Sequence, residues 1–247
     1  MLHLSVTQWL LAFAGAFGMG LSKAGFSGIG LLHVVVFAFL FGAKDSTGIV
    51  LPMLLVGDLY AVRTFRKHAR WEYLRRMLPP ALAGVVLGAA GMTRLSDAAY
   101  KPLIGWIILA LTAMQVVHTV RPRWFGRVPH TRSFTWGMGL LAGATTMLAN
   151  AAGSIMSLYA LAVGLPKYEL VGTNAWFFLT VNAFKIPFSA RLGLIRSGTL
   201  LLNVALVPAI IAGLLAGRVL IRHVSQRFFD GFLLTFAGLA AIKLILG

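Results

Sequence analysis

The stretch GMGLSKAGFSGIG, Gly18 to Gly30, decides how this chain is read. It lies in the middle of an apolar run, Trp9–Phe41, of about thirty residues, and it is full of glycine. A glycine in a helix interior costs about 1 kcal/mol relative to alanine, so a continuous helix is disfavoured there. A run of that length is long for one membrane-crossing helix and short for two. The expected form is two short helices meeting near the membrane midplane, as a re-entrant hairpin. Broken backbone at that depth survives only where protein or a water-filled cavity surrounds it.

The same device recurs. Phe134–Val163 is a second apolar run of about thirty residues, interrupted by NAAGS at Asn150–Ser154. The offset from Gly20 to Gly143, Ser27 to Asn150 and Gly30 to Gly153 is 123 residues each time. Gly42 answers to Gly164, Gly48 to Gly172, Asp58 to Asn182 and Gly84 to Gly213, at offsets of 122, 124, 124 and 129. Two similar halves in a membrane chain are a common plan for a secondary transporter.

Composition agrees. Of 247 residues 59% are hydrophobic and 11% charged, against about 25% charged in soluble domains. Six segments read as full spans: Ser46–Val62, Leu74–Gly91, Leu103–Val120, Leu170–Ala190, Leu200–Leu220 and Phe228–Leu246. The apolar start, Val6–Ala16, lacks a basic region before it, so it reads as part of the first membrane element. The expectation is an all-α polytopic membrane protein, one membrane domain over 1–247. Repeat one covers 1–120, a cytoplasmic linker 121–133 and repeat two 134–247. Each repeat is a broken or re-entrant helix hairpin plus about three transmembrane helices.

The formal net charge is +16. The basic residues cluster in short loops: Arg63, Arg66, Lys67, Arg70, Arg75 and Arg76; then Arg121, Arg123, Arg127 and Arg132; then Arg218, Arg222 and Arg227. That is the positive-inside pattern of a multi-pass protein of a cell (inner) membrane, and it suits anionic lipid headgroups rather than nucleic acid. If each hairpin enters and leaves on the same side, every basic loop falls on the cytoplasmic side and the repeats are inverted. Counting each hairpin as one kinked span gives eight crossings and parallel repeats, and misplaces the basic loops.

Candidate chemistry sits at the breaks. A half-helix that begins at mid-membrane leaves backbone N–H groups unpaired and carries about half a positive charge, which makes it an anion site. Repeat one offers Ser27, Gly28 and Gly30; repeat two offers Asn150, Gly153 and Ser154. The competing reading is that these small residues only allow close helix packing. Lys23, inside the first break, is costly at that depth, so it pairs with an anionic substrate, snorkels to the surface or pairs with Asp58. In GTNAWFFLTVNAFKIPF, Gly172 to Phe188, the polar residues Thr173, Asn174, Thr180, Asn182 and Lys185 stand in an apolar helix. Asn174, Asn182 and Lys185 share one broad face, for substrate or as interhelical glue. Asp58 and His33 are ion-coupling candidates. Asp58 reads equally as half of an ion pair with Arg63 or Lys23, and His33 as a hydrogen-bonded structural residue. Pro187 is expected to kink its helix.

Other chemistries lack their signatures. The chain has no cysteine, no GxxxxGK[ST], no HExxH and no carboxylate pair at ligand spacing. Glu72, Asp97 and Asp230 read as loop or helix-end residues. No catalytic residue, metal site or cofactor is expected.

These residues also carry a resemblance. FSGIG, NAAGS, KDSTGIVLP (Lys44–Pro52) and ELVGTNAWFFLTVNAFKIPFSARLGLI (Glu169–Ile195) resemble the sulfite exporter TauE/SafE family, over nearly the whole length. The first half departs from it at Gly28-Ile29-Gly30 and His33, where family members often carry several glycines and a proline. The resemblance implies export or exchange of small sulfur-containing or organic anions such as sulfite, sulfonates or sulfoacetate-like compounds, driven by a proton or cation gradient. The partners are then a small anion, a coupling ion and the lipid bilayer; an oligomer is compatible with it. An uncoupled anion channel is the alternative, ahead of a membrane-embedded enzyme or assembly subunit.

Overall fold

Each apolar run becomes two helices in the computed structural model, which describes residues 4–24, 26, 29–121, 131–220, 235, 237–239 and 241–246. Helix α1 spans Val6–Lys23 and α2 spans Ile29–Phe41. Ser5 caps α1 in a reciprocal pair with Gln8, satisfying donors that the first turn leaves free. The backbone leaves the helix at Ala24, inside the glycine-rich stretch. Helix α2 folds back along α1: a Cβ on Gly15 would touch the Phe37 ring, and one on Gly30 would touch Ser22 Oγ. The second run gives α6 over Arg132–Ala149 and α7 over Gly153–Ala162. Thr131 caps α6 at its start, and Asn150 closes it in a left-handed conformation, φ 53°. Phe134 stacks on Tyr159, so α7 also doubles back.

Between and after the hairpins lie α3 (Asp45–Phe65), α4 (Trp71–Arg94), α5 (Asp97–Val120), α8 (Lys167–Arg191) and α9 (Ser197–Leu220). Five of the six expected spans fall inside these helices. The sixth, Phe228–Leu246, lies mostly outside the described residues; its end is helical at 237–239 and 241–246 and packs on α5, where Gly105 faces Ala241 and Ile245. No strand occurs among the described residues. Three helices are long and apolar enough to cross a membrane by length and composition: Asp45–His68, Ala98–Val117 and Ser197–Leu220. The outer surface is greasy, with Leu10, Leu87, Trp106, Leu141, Leu201 and Val204 all exposed. Helix α8 continues unbroken through Pro187 to Arg191. Most of the linker, 122–130, also lies outside the described residues.

The glycines that recur in the sequence now have physical reasons. Gly42 and Gly164 end the two hairpins with φ of 87° and 69°, a conformation that side chains resist. Gly48 and Gly172 lie where α3 and α8 run antiparallel. A Cβ on Gly48 would strike Leu194, and one on Gly172 would strike Phe65 O and the backbone at His68 and Ala69. The other four make two crossings. On α1 and α9, a Cβ on Gly20 would come 2.1 Å from Ile210 O, and one on Gly213 would come 2.1 Å from Phe17 O. On α6 and α4, one on Gly143 would come 1.9 Å from Ala81 O, and one on Gly84 would come 2.2 Å from Leu140 O. Lipid tails are as apolar as leucine, so membrane helices gain from close backbone approach rather than from burying oil. The first helix of each hairpin is thus clamped to a helix of the other half.

Packing follows those crossings. One apolar cluster gathers α2, α4, α5, α6 and α7; a second gathers α1, α3 and α9, with Phe37 and Ala175. Trp176 on α8 touches both. At one end Arg70 pairs with Glu169 (3.1 Å) and its N–H donates to Thr173 Oγ1 (3.0 Å). At the other end Arg196 pairs with Asp45 (3.2 Å). Both ion pairs are largely exposed, so each contributes at most about 1 kcal/mol.

Candidate functional site

Where α3 and α8 run side by side, the matched residues Asp58 and Asn182 meet. Asn182 Nδ2 donates to Asp58 Oδ2 at 2.7 Å. Asp58 is fully buried and Asn182 nearly so. The other carboxylate oxygen accepts from Lys23 Nζ at 2.5 Å, from the last residue of α1. Of the partners weighed for Asp58, Lys23 is the one it takes. The Lys23 ammonium also lies 4.5 Å from the centre of the Phe178 ring, an attraction that a drier site strengthens.

Lys185, one turn beyond Asn182 on α8, is 1% exposed. Its ammonium donates to Thr146 O (2.7 Å), Asn150 Oδ1 (2.5 Å) and Thr146 Oγ1 (3.3 Å), with Asn182 Oδ1 at 3.4 Å. None of these is a carboxylate. Asn150 Nδ2 donates in turn to Thr47 O at 3.0 Å, tying the second break to the start of α3. Asn182 therefore bridges two lysines on opposite sides: it donates to the carboxylate that holds Lys23 and faces Lys185 with its oxygen. The left-handed turn at Asn150 aims that amide sideways, between Lys185 and Thr47. Two lysines flank one carboxylate here: Lys23 binds it directly, and Lys185 is held only by carbonyl, hydroxyl and amide oxygens.

This network walls a cavity of about 60 Å³. One water needs about 10–15 Å³, so the space suits a few waters or an anion of several heavy atoms. Of the expected binding residues, Lys23, Gly30, Asn150, Gly153, Ser154, Asn174 and Asn182 line it. The start of α7 faces the space directly, and a Cβ on Gly153 would meet nothing within 4 Å. Ser154 Oγ and Asn174 Oδ1 have no hydrogen-bond partner among the described residues. An isolated buried polar atom costs a few kcal/mol, so these two are free to serve a ligand.

Other expected residues lie elsewhere. Thr173 is next to Asn174 but about 100° round the helix; it accepts from Arg70 N–H and borders a small void near Tyr73. Lys185 stands behind the wall formed by Thr146, Asn150 and Asn182, so its charge reaches the cavity through them. His33 lines the cavity from the first turns of α2. Ser27 and Gly28 lie outside the described residues.

The structure adds residues that sequence reading missed. Thr146 supplies two of the oxygens around Lys185, and Ser22, Ser157 and Phe178 line the cavity. Thr146 had a signal: a Thr-Thr pair in an apolar helix, one turn before the break. Asn203 on α9 is buried with both side-chain polar atoms unpartnered among the described residues.

Comparison with known proteins gives one match. The family model described as sulfite exporter TauE/SafE covers residues 11–244. No curated protein and no solved structure matches the chain.

Proposed function

The chain belongs to the sulfite exporter TauE/SafE family, and from that premise we propose that it exports or exchanges small sulfur-containing anions across a cell (inner) membrane by alternating access. The family is one of membrane transporters of sulfur anions. The observation that carries the proposal is the charge around the central cavity: Lys23 and Lys185 against Asp58 alone. A surplus positive charge in a low-dielectric site is compensated best by an anion in the cavity. The α7 N-terminus and the Ser154 hydroxyl add donors for its oxygens.

Two inverted repeats are the architecture this reading assigns. The antiparallel course of α3 and α8, the meeting of Asp58 with Asn182, and the paired crossings at Gly20/Gly213 and Gly143/Gly84 all support it. The hairpins then enter from opposite sides, as alternating access around a fixed midplane site requires. Lys23–Asp58 is the coupling candidate: a proton or cation arriving at Asp58 would release Lys23 toward the substrate. A carrier of this kind saturates, whereas an uncoupled channel conducts in proportion to the gradient.

The test is a thermal-shift scan of the purified protein with sulfite, sulfoacetate, sulfate and simple carboxylates. A ligand at a hundred times its Kd stabilises by about 2.7 kcal/mol. Sulfite or sulfoacetate should raise the unfolding temperature saturably, and at the same ligand concentration Lys185→Met should cut that rise to about a third. An equal rise with every anion, unchanged by Lys185→Met, would refute the assignment of the site.

A further inference from the structure

His33 sits between two spaces. It lines the central cavity, and with Asn150 it also lines a second void of about 10 Å³. That void is bounded by Val34 and Phe37 of α2 and by Ser46, Thr47 and Val50 of α3. It has room for about one water. It lies toward the turn between α2 and α3, the end of the molecule away from the basic loop at 63–76. The central cavity reaches the other way, to Ala61, Leu170 and Val171 near that basic loop.

The imidazole is 4% exposed, yet neither Nδ1 nor Nε2 has a hydrogen-bond partner among the described residues. A neutral imidazole carries one donor and one acceptor, and burying both unpaired is costly. The other polar members of this partition are held. Asn150 is bonded to Lys185 and Thr47; Ser46 Oγ donates to Ala43 O and Thr47 Oγ1 to Lys44 O. His33 can therefore swing without breaking a hydrogen bond, and its neighbours cannot.

We infer that His33 is the movable partition of one permeation route: its ring closes the central cavity on the side of the α2–α3 turn, and its displacement joins that cavity to the second void. The inference rests on the transport reading for its purpose, while the partition itself is a matter of access. An anion passing the ring meets a donor on the imidazole, which replaces what it leaves at Asn150 and Ser154. Asn150 is the fixed jamb, because its bond to Thr47 O ties the second hairpin to α3 beside the ring.

Access can be read without knowing the substrate, because the chain has no cysteine of its own. Ser157→Cys places a thiol on the central cavity and Ser46→Cys places one on the second void. Each is made in the His33, His33→Ala, His33→Ser and His33→Phe backgrounds. The proteins are reconstituted in sealed vesicles, and a sulfonate-bearing methanethiosulfonate is added on the basic-loop side only. With His33 or His33→Phe, the Ser46→Cys thiol should react at least about tenfold more slowly than the Ser157→Cys thiol, since modification follows access. With His33→Ala or His33→Ser it should speed up by about tenfold. The serine variant serves if the alanine variant does not fold. Equal rates at both thiols with His33 intact would overturn the inference, as would a Ser46→Cys thiol that stays slow in both small-residue backgrounds. Loss of sulfite or sulfoacetate binding sinks the transport reading instead and leaves these rates unmoved.

Discussion

Gly143→Ala adds one carbon at the closest approach found for any glycine among the described residues. The new Cβ would stand 1.9 Å from Ala81 O, 2.8 Å from Ala81 C and 2.9 Å from Val85 N. Ordinary contact begins near 3.4 Å, so the shortfall is about 1.5 Å against backbone that no rotamer change can move. Helix α6 must shift away from α4. Alanine gains about 1 kcal/mol over glycine in helix propensity. Against this stand an overpacking cost of about 1–3 kcal/mol or more and the dispersion lost along the crossing as a gap opens. The net expectation is a loss of about 1–3 kcal/mol. Gly137 gives the control: it is on the same helix, and its added Cβ would meet nothing within 4 Å. Gly137→Ala should keep the propensity gain and stabilise by up to about 1 kcal/mol. Unfolding in detergent, followed by tryptophan fluorescence against temperature or added dodecyl sulfate, reads the difference. Helix α6 carries Thr146 and is closed by Asn150, so Gly143→Ala should weaken sulfite or sulfoacetate binding while Gly137→Ala leaves it alone. The reasoning is refuted if the two variants shift stability in the same direction and by the same amount.

Four further outcomes are expected. Lys185→Met removes the lysine that no carboxylate offsets; a charge roughly 7 Å from the anion at an effective dielectric near 20 is worth about 2 kcal/mol, so the Kd measured by titration calorimetry should rise about thirtyfold. Asp58→Asn strands Lys23 in a buried site and should cost about 3–5 kcal/mol of stability, while Lys23→Met with Asp58→Leu should recover most of it; a double variant no better than Asp58→Asn in the unfolding assay would refute the pairing. Asn150→Leu and Ser154→Leu each place an apolar group on the cavity wall and should abolish uptake of labelled sulfoacetate into proteoliposomes; uptake retained in both would leave these residues with a packing role only. Arg196→Gln breaks an exposed pair with Asp45 and should change stability by no more than about 1 kcal/mol in the same melt.

How much of this could be read from the sequence alone differs from residue to residue. The breaks after Lys23 and Asn150 were legible, because glycine and asparagine violate helix propensity locally and that penalty does not wait for tertiary structure. The spans were legible for the same kind of reason: apolar length is a property of a segment. The pairing of Asp58 with Lys23, 35 residues apart, was open among partners, since several cations lay within reach of that depth. Thr173 and Asn174 looked equivalent by composition, and only the helix rotation sends one to Arg70 and the other to the cavity. Thr146 was passed over because a threonine in an apolar helix usually bonds its own backbone.

By itself the sequence determined that this chain is helical, apolar enough for a membrane, and interrupted at two places 123 residues apart. These are local or periodic properties, written in residue type and spacing. The tertiary structure alone decided what each repeated glycine touches, which lysine Asp58 holds, and that Lys185 is left without a carboxylate. It decided too that His33 lines two spaces. Those facts are distances between residues as many as 196 positions apart, and such distances exist only once the helices have crossed at their glycines.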